Sequence, residues 1–502
     1  MYFIGIDVGT SGTKTILIDS KGKILASATF EYPLYQPQIG WAEQNPEDWW
    51  DASVKGIKAV LEKSKVDPKE VKAVGLTGQM HGLVMLDKNC NVIRPSIIWC
   101  DQRTAKECDE ITEKVGKERL VEITANPALT GFTASKILWV RNNEPQNYEK
   151  VYKILLPKDY IRFKLTGEFA TDVSDASGMQ LLDVKNRCWS DEVLEKLEID
   201  KGLLGKVYES PEVTGKVSRQ ASELTGLCEG TLVVAGGGDQ AAGAVGNGIV
   251  RTGVVSSTIG SSGVVFAHLD DFRIDPEGRV HTFCHAVPGK WHVMGVTQGA
   301  GLSLKWFRDN FAHIEKAAFE FIDKDPYILM DQEAELANPG ADGLVFLPYL
   351  MGERTPILDP YAKGIFFGIT AKHTRREFIR AVMEGVVFSL KNCLDILYEM
   401  GIEVKEVRVS GGGAKSKLWR QMQADIFEMD VWTLNSKEGP AFGAAILAAV
   451  GAGEYQKVEE ACDTMIQKVD SCSPNEKLFE IYRKTYKLYN SIYPRVKDLF
   501  NM

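Results

Sequence analysis

Apolar and polar positions alternate in short runs at the start of the chain. β-Branched and apolar residues gather at Phe3–Asp7, Thr15–Ile18 and Ile24–Phe30, which predicts three strands. Asn45-Pro46-Glu47-Asp48 then reads as an N-cap, a proline at the first helical position and acids that suit the helix dipole. Apolar spacing carries that helix to about Lys63, and Val71–Thr77 follows as a buried strand. Strands, helix, strand is the order of an α/β protein. From about residue 79 to 208 the pattern changes to short strands (Val84–Leu86), helices (Ala105–Val115) and polar loops, so this region reads as an insertion. Leu232–Ala235 is a strand entering Gly236-Gly237-Gly238-Asp239-Gln240 and a small-residue helix. Beyond it come a long amphipathic helix at Phe378–Met400, a strand at Val407–Val409, and helices at Leu418–Phe427 and Ala441–Val450. The last ~40 residues read as helical.

The pattern repeats. Ile4-Gly5-Ile6-Asp7-Val8-Gly9-Thr10-Ser11-Gly12-Thr13-Lys14 and Ser257-Thr258-Ile259-Gly260-Ser261-Ser262-Gly263-Val264-Val265 share one design. Each is an apolar run, a tight Gly/Ser/Thr turn and a second apolar run, which predicts a hairpin whose turn offers N–H groups and hydroxyls to an anion. Val71–Gly78 is echoed by Val404–Gly411 in the same order. Chance accounts for either echo about as well as duplication does; two in one order favour a duplicated fold closing on a polyphosphate.

At 502 residues the chain exceeds one core, and two large domains are expected. A net charge of −9 argues against nucleic-acid or anionic-membrane partners. Nine scattered cysteines without a C-x-x-C pair suggest reduced thiols and a cytoplasmic location. Strand-like sequence from Tyr2 leaves no room for a signal peptide. The Gly-rich stretch 232–250 contains Asp239, Gln240 and Asn247 and is not expected to span a membrane.

Each candidate site residue competes with a plainer role. Asp7 ends the first strand beside a phosphate-type turn, where a carboxylate needs a cation such as Mg²⁺; its plain role is to cap the turn. Asp239 follows three glycines at a strand-to-helix junction, where α/β ligands sit, and could take a proton from an attacking hydroxyl. Its plain role is a helix N-cap, and spacing leaves the two even. Gly411-Gly412-Gly413-Ala414 could support a nucleotide or be an ordinary turn. Met80-His81 and Trp99 could line a sugar pocket or fill a core. Seven histidines show no zinc-type spacing.

Together, Asp7–Gly12, Gly237-Gly238-Asp239, Ile259–Gly263 and Gly411–Ala414 resemble the FGGY carbohydrate kinases of the actin/Hsp70/sugar-kinase superfamily. Phe132–Val140 and Gly364–Glu384 resemble the two family signatures, and the match runs from Tyr2 to about Gly451. Gln79–Gly82, Leu156–Tyr160, Asp172–Gly178 and Leu347–Pro356 are similar to the xylulokinase branch. Gln240 departs from it, since many members carry Asn there and glycerol kinases carry Gln.

The resemblance implies two ribonuclease-H-like α/β domains, residues 1–247 and 248–502, with the active site in the cleft between them. It implies ATP and Mg²⁺, phosphorylation of D-xylulose at its terminal hydroxyl, Asp239 as base and Asp7 as the metal's partner. Sugar contacts would come from Met80, His81, Trp99, Asp239 and Gln240. Nucleotide contacts would come from Thr10, Ser11, Thr13, Lys14, Gly260, Ser261, Gly301, Gly412, Gly413 and Ala414. A homodimer is compatible with it. The competing expectations are a kinase for ribulose or glycerol, and an ATP-switched chaperone or filament subunit; a catalytically dead sensor is disfavoured by the presence of both Asp7 and Asp239.

Overall fold

The computed structural model describes residues 1–313, 325–435 and 438–500. Two seven-stranded mixed sheets form the frame, one in each half of the chain. The first contains β1 (Tyr2–Val8), β2 (Gly12–Asp19), β3 (Ile24–Glu31), β4 (Val71–Gly78), β5 (Val213–Lys216) and β6 (Leu232–Val234), in the order β5-β6-β4-β1-β2-β3. The two-residue strand Gly237–Gly238 extends the edge of β4. The second contains β7 (Gly253–Ile259), β8 (Gly263–Leu269), β9 (His281–Cys284), β10 (Trp291–Thr297), β11 (Val404–Gly411), β12 (Val431–Leu434) and β13 (Lys468–Cys472). Its order is β9-β10-β8-β7-β11-β12-β13.

The duplication holds to the level of register. β1 forms an antiparallel hairpin with β2 and runs parallel to β4; β7 does the same with β8 and β11. Both parallel pairs slip by one residue at their first rung, at Tyr2/Phe3 and at Gly253/Val254. Asp7 lies opposite Thr77, and Thr258 occupies the matching place opposite Ser410.

Helix α1 (Pro46–Ser64) covers one face of the first sheet. It starts as expected, with the Asn45 side chain accepting the Glu47 N–H and Pro46 in the first turn. Helix α2 (Asp239–Gly246) follows β6, and α4 (Gly439–Gly451) follows β12, as equivalents. Helix α3 (Arg375–Glu399) opens with a Thr374/Glu377 capping box and packs in the second core.

Helices α2 and α4 lie against each other between the two sheets, with no room for side chains. A methyl group added at Gly443 would stand 1.7 Å from the Ala242 carbonyl oxygen, and one at Gly246 2.1 Å from that of Gly439. Helix α4 also lies flat on the first sheet, because Gly5 and Gly75 leave space for it: a methyl at either would be 1.9 Å from an α4 carbonyl oxygen. At the matching positions of the second sheet stand Ser256 and Arg408. Arg408 donates to the carbonyls of Asn247 (2.8 Å) and Gly248 (3.2 Å), just past the end of α2. A side chain thus stands between α2 and the second sheet where glycines admit α4 to the first.

The C-terminal expectation needs correction. Helices span Val458–Met465 and Phe479–Val496, but Lys468–Cys472 between them is an edge strand, paired antiparallel with β12. Five residues with four exposed carry too little alternation to stand out among helix formers; the partner strand decides their state. Among the described residues no helix is long and apolar enough to cross a membrane. All nine cysteines are free.

Candidate active site

A cleft of about 960 Å³ opens between α2 and the face of the second sheet that Arg408 keeps clear. One wall is the first hairpin (Asp7, Gly9, Ser11, Gly12, Lys14) with Asp239, Gln240, Gly243 and Asn247 of the α2 region. The other is Ser256, Thr258 and Phe266 with Ser410, Gly411, Ala414, Lys415 and Arg420. Backbone turns and cations at the ends of parallel strands suit a polyphosphate.

The two acids reach this cleft through adjacent rungs of the first sheet. Asp7 pairs with Thr77, Thr77 with Gly237, and Gly78 with Gly238, the residue before Asp239. Asp239 is the first residue of α2, with Gly238 at the cap position, and its carboxyl accepts from the backbone N–H and the side chain of Gln240. Burial pushes the Asp239 carboxyl up to about 6, against the hydrogen bonds from Gln240 that favour its charge. Asp7 rises to about 7, first through burial, then through the charge of Asp239, with Lys14 opposing. Its Oδ1 is buried and has no hydrogen-bond partner. An unpaired carboxylate oxygen beside anion-binding turns is what a hard divalent cation would satisfy. No cluster of three or more acidic, His or Cys residues that could hold a metal occurs among the described residues, so a cation here would draw its other ligands from nucleotide and water.

The sugar candidates sit beside the same segment. A methyl at Gly238 would meet Met80 Sδ at 2.9 Å, which places the buried Met80 against the residue preceding Asp239. His81 is half-buried, with φ of 69°, the left-handed region that costs a non-glycine residue energy and must be held. Its carbonyl accepts from Lys136 Nζ (2.8 Å) and Thr133 Oγ1 (3.1 Å). Its ring packs on Phe132, with centroids 4.7 Å apart. Burial, with the Lys136 charge second, lowers its pKa to about 3, so the imidazole is neutral. Nδ1 lies 2.8 Å from the Gly178 carbonyl oxygen, which only accepts, so Nδ1 carries the proton and Nε2 keeps a free lone pair.

Other predicted residues take different places. Trp99 is exposed, and its Nε1 donates to Thr10 Oγ1 at 2.9 Å, in the first turn. Gln44 Nε2 donates to the Thr10 carbonyl (2.7 Å), and the buried Thr13 hydroxyl faces Tyr32 (3.4 Å), so both threonines tie the turn to its own domain. Ser11 and Lys14 line the cleft, though Lys14 pairs with Glu438 at 2.6 Å from the other half of the chain. Gly260 and Ser261 accept from the N–H groups of Gly301 (2.8 Å) and Ala300 (3.1 Å) at the start of helix Gly301–Phe311. Gly412 and Gly413 form a single 3-10 turn with Ala414, and Gly413 packs on Ile259. Sequence reading missed Thr258, Ser410, Lys415 and Arg420; the register of the duplicated strands points to the first two, and nothing local to the latter two.

Comparison with known proteins shows the family and the fold. Residues 2–246 match the N-terminal domain, and residues 255–452 the C-terminal domain, of the FGGY family of carbohydrate kinases. A xylulose kinase of Bacillus subtilis (strain 168) is 41% identical over 498 residues, 99% of this chain and 98% of that protein. The crystal structure of a ligand-bound xylulose kinase from Lactobacillus acidophilus superposes with a TM-score of 0.92 at 28% identity, covering 100% of this chain and 99% of that one. A gluconate kinase from the same organism gives 0.91 at 29% identity, covering 99% and 98%. With both family domains matched in order over most of its length, the chain belongs to the FGGY family of carbohydrate kinases.

Proposed function

We propose that the protein transfers the γ-phosphoryl group of ATP to the terminal hydroxyl of D-xylulose, giving D-xylulose 5-phosphate and ADP. The observation that carries this reading is the shared position of two desolvated carboxyls, Asp7 and Asp239, on a cleft walled by the first turn and by the strands of the second hairpin. Asp239 accepts the proton of the attacking hydroxyl as its oxygen bonds to phosphorus and the bond to the ADP oxygen breaks. A pKa near 6 leaves it ionised at neutral pH and a better base than an exposed aspartate. Met80 forms an apolar wall beside Gly238, and His81 Nε2 accepts a hydrogen bond from a ketose hydroxyl. Mg²⁺, when bound near Asp7, neutralises charge on the phosphates. N–H groups of the first hairpin and of the Gly411–Ala414 turn hold the polyphosphate from opposite walls, and alignment between them supplies much of the rate.

The likeness to both xylulose and gluconate kinases makes the acceptor the point to test. Initial rates of ADP formation with D-xylulose, D-ribulose, glycerol and D-gluconate should give D-xylulose the highest kcat/KM. A higher value for any of the others overturns the assignment of the sugar.

A further inference from the structure

Two stretches of sequence, Leu156–Tyr160 and Asp172–Gly178, have no part in the cleft lining described above. They meet inside the first half of the chain as a fully buried ion cluster. Lys158 Nζ lies 2.7 Å from Asp159, 2.8 Å from Asp172 and 3.4 Å from Asp175. Arg162 pairs with Asp159 at 2.5 Å. Every one of these side chains is at most 1% exposed. Taking five ionisable groups out of water is costly, and apolar residues of like volume would usually serve stability as well or better. The cluster therefore calls for a use other than stability.

Its contacts leading outward supply one. Arg162 donates to the Ala170 carbonyl at 2.5 Å and also to the Ala235 carbonyl. Asp172 Oδ2 accepts from the Ser174 N–H (2.8 Å), the Ser174 hydroxyl (2.5 Å) and the Ser210 hydroxyl (3.1 Å). Its own proton so committed, the Ser174 oxygen accepts the Gly238 N–H at 3.1 Å. Ala235 and Gly238 are the two ends of the segment that delivers Asp239 to the cleft. Between them stand Gly236, with φ of 71°, and Gly237. Glycines have no side chains to pack and the widest backbone freedom, so the path of this segment is set by the hydrogen bonds made to it: the sheet pairing with Thr77 and Gly78 and, at its two ends, contacts anchored in buried charges.

We infer that the Lys158/Arg162/Asp159/Asp172/Asp175 cluster is a positioning device for Asp239, acting through Arg162 on Ala235 and through Ser174 on Gly238. The inference rests on the reading of Asp239 as base. None of the cluster residues touches substrate; they are positioning residues, and their effect belongs in turnover rather than in binding.

The test is Ser174→Ala, which deletes the acceptor of the Gly238 N–H and little volume. Its kcat for the sugar should fall about tenfold or more, the scale of loss when a buried donor is left unpaired. The sugar KM and ADP affinity by calorimetry should stay within about twofold of the wild type. Thr225→Ala, which removes an equally buried hydroxyl bound to the Ala221 carbonyl away from the cleft, is the control. It should lower the melting temperature and leave kcat unchanged. Arg162→Lys provides a second arm, since an ammonium cannot reproduce the guanidinium's contacts with Asp159, Ala170 and Ala235 together. Unchanged kcat in Ser174→Ala alongside a lowered melting temperature, as in the control, would overturn the inference. Asp239→Asn run in parallel separates the two claims. If it turns over normally, the base assignment fails and the inference with it. If it is slow while Ser174→Ala is normal, only the inference fails.

Discussion

Asp239 stands at the start of α2 as its first residue rather than its cap, and its carboxyl, hydrogen-bonded by Gln240, lines the cleft. Asp239→Asn should fold normally and lose ~10²–10⁴-fold in kcat, the usual worth of a general base. With Asp239 near 6 in the free protein, kcat/KM for the sugar should fall as pH drops through about 6, and the Asn variant's residual rate should lack that limb. Asp7 yields a prediction about stability. Its folded pKa of about 7 exceeds the ordinary 3.8, so the native state binds the proton more tightly than the unfolded chain. That stabilisation is complete below 3.8 and is lost as pH rises through about 7. In Mg²⁺-free buffer, Asp7→Asn should therefore melt above the wild type at pH 8 and level with it near pH 4; a scan at the two pH values checks this. His81→Ala removes the Nε2 acceptor and should lower kcat/KM for D-xylulose about tenfold, with ADP affinity unchanged. Equal losses on every sugar, in a protein of lower melting temperature, would make His81 structural.

At the scale of elements, the two halves differ where glycine in one faces a side chain in the other. Gly5 and Gly75 let α4 lie on the first sheet, while Ser256 and Arg408 face the cleft side of the second. Arg408 is held by Glu406 at 2.8 Å while it binds the carbonyls at the end of α2. Arg408→Ala should loosen α2 from the second sheet and weaken ADP binding by calorimetry, by several-fold, with sugar affinity nearly unaffected. Most elements were legible beforehand. The α1 cap, the strand at β4, the helix at 105–115 and the hairpins all follow from local pattern. Strand β13 was not, because its state depends on a partner 30 or more residues away in sequence, with Leu434 facing Lys468.

For the whole molecule, two junctions between the halves stand out beside the packing of α4 on the first sheet. One is the α2–α4 contact. The other is the edge of the second sheet docked on the insertion, where the Cys284 N–H donates to Ser177 Oγ (3.0 Å), Asn126 to the Thr282 carbonyl (3.0 Å) and Trp291 to the Val184 carbonyl (2.7 Å). Lys14 and Glu438 pair across the cleft at 2.6 Å; a ligand-driven closure of the halves would exclude water from the reacting phosphate. Small-angle scattering with ADP and sugar together should give a smaller radius of gyration than the free protein; an identical profile would show that closure is not part of the cycle.

The sequence by itself determined the duplication and its two hairpins, and put Asp7 and Asp239 forward as candidates, because hairpins, glycine turns and strand-end acids are local patterns written in adjacent residues. It left open whether Asp239 capped a helix, whether His81 was structural, and what Lys158, Arg162 and Ser174 were for. Those roles hang on groups brought together across 64 residues, as with Ser174 and Gly238, or 97, as with His81 and Gly178, and the variants above test them. Tertiary structure also decided which of two equivalent sheets would carry the cleft. A glycine and an arginine at matching positions are unremarkable in one dimension; only when α2 and α4 pack between the sheets does the missing side chain close one gap and the present one hold the other open.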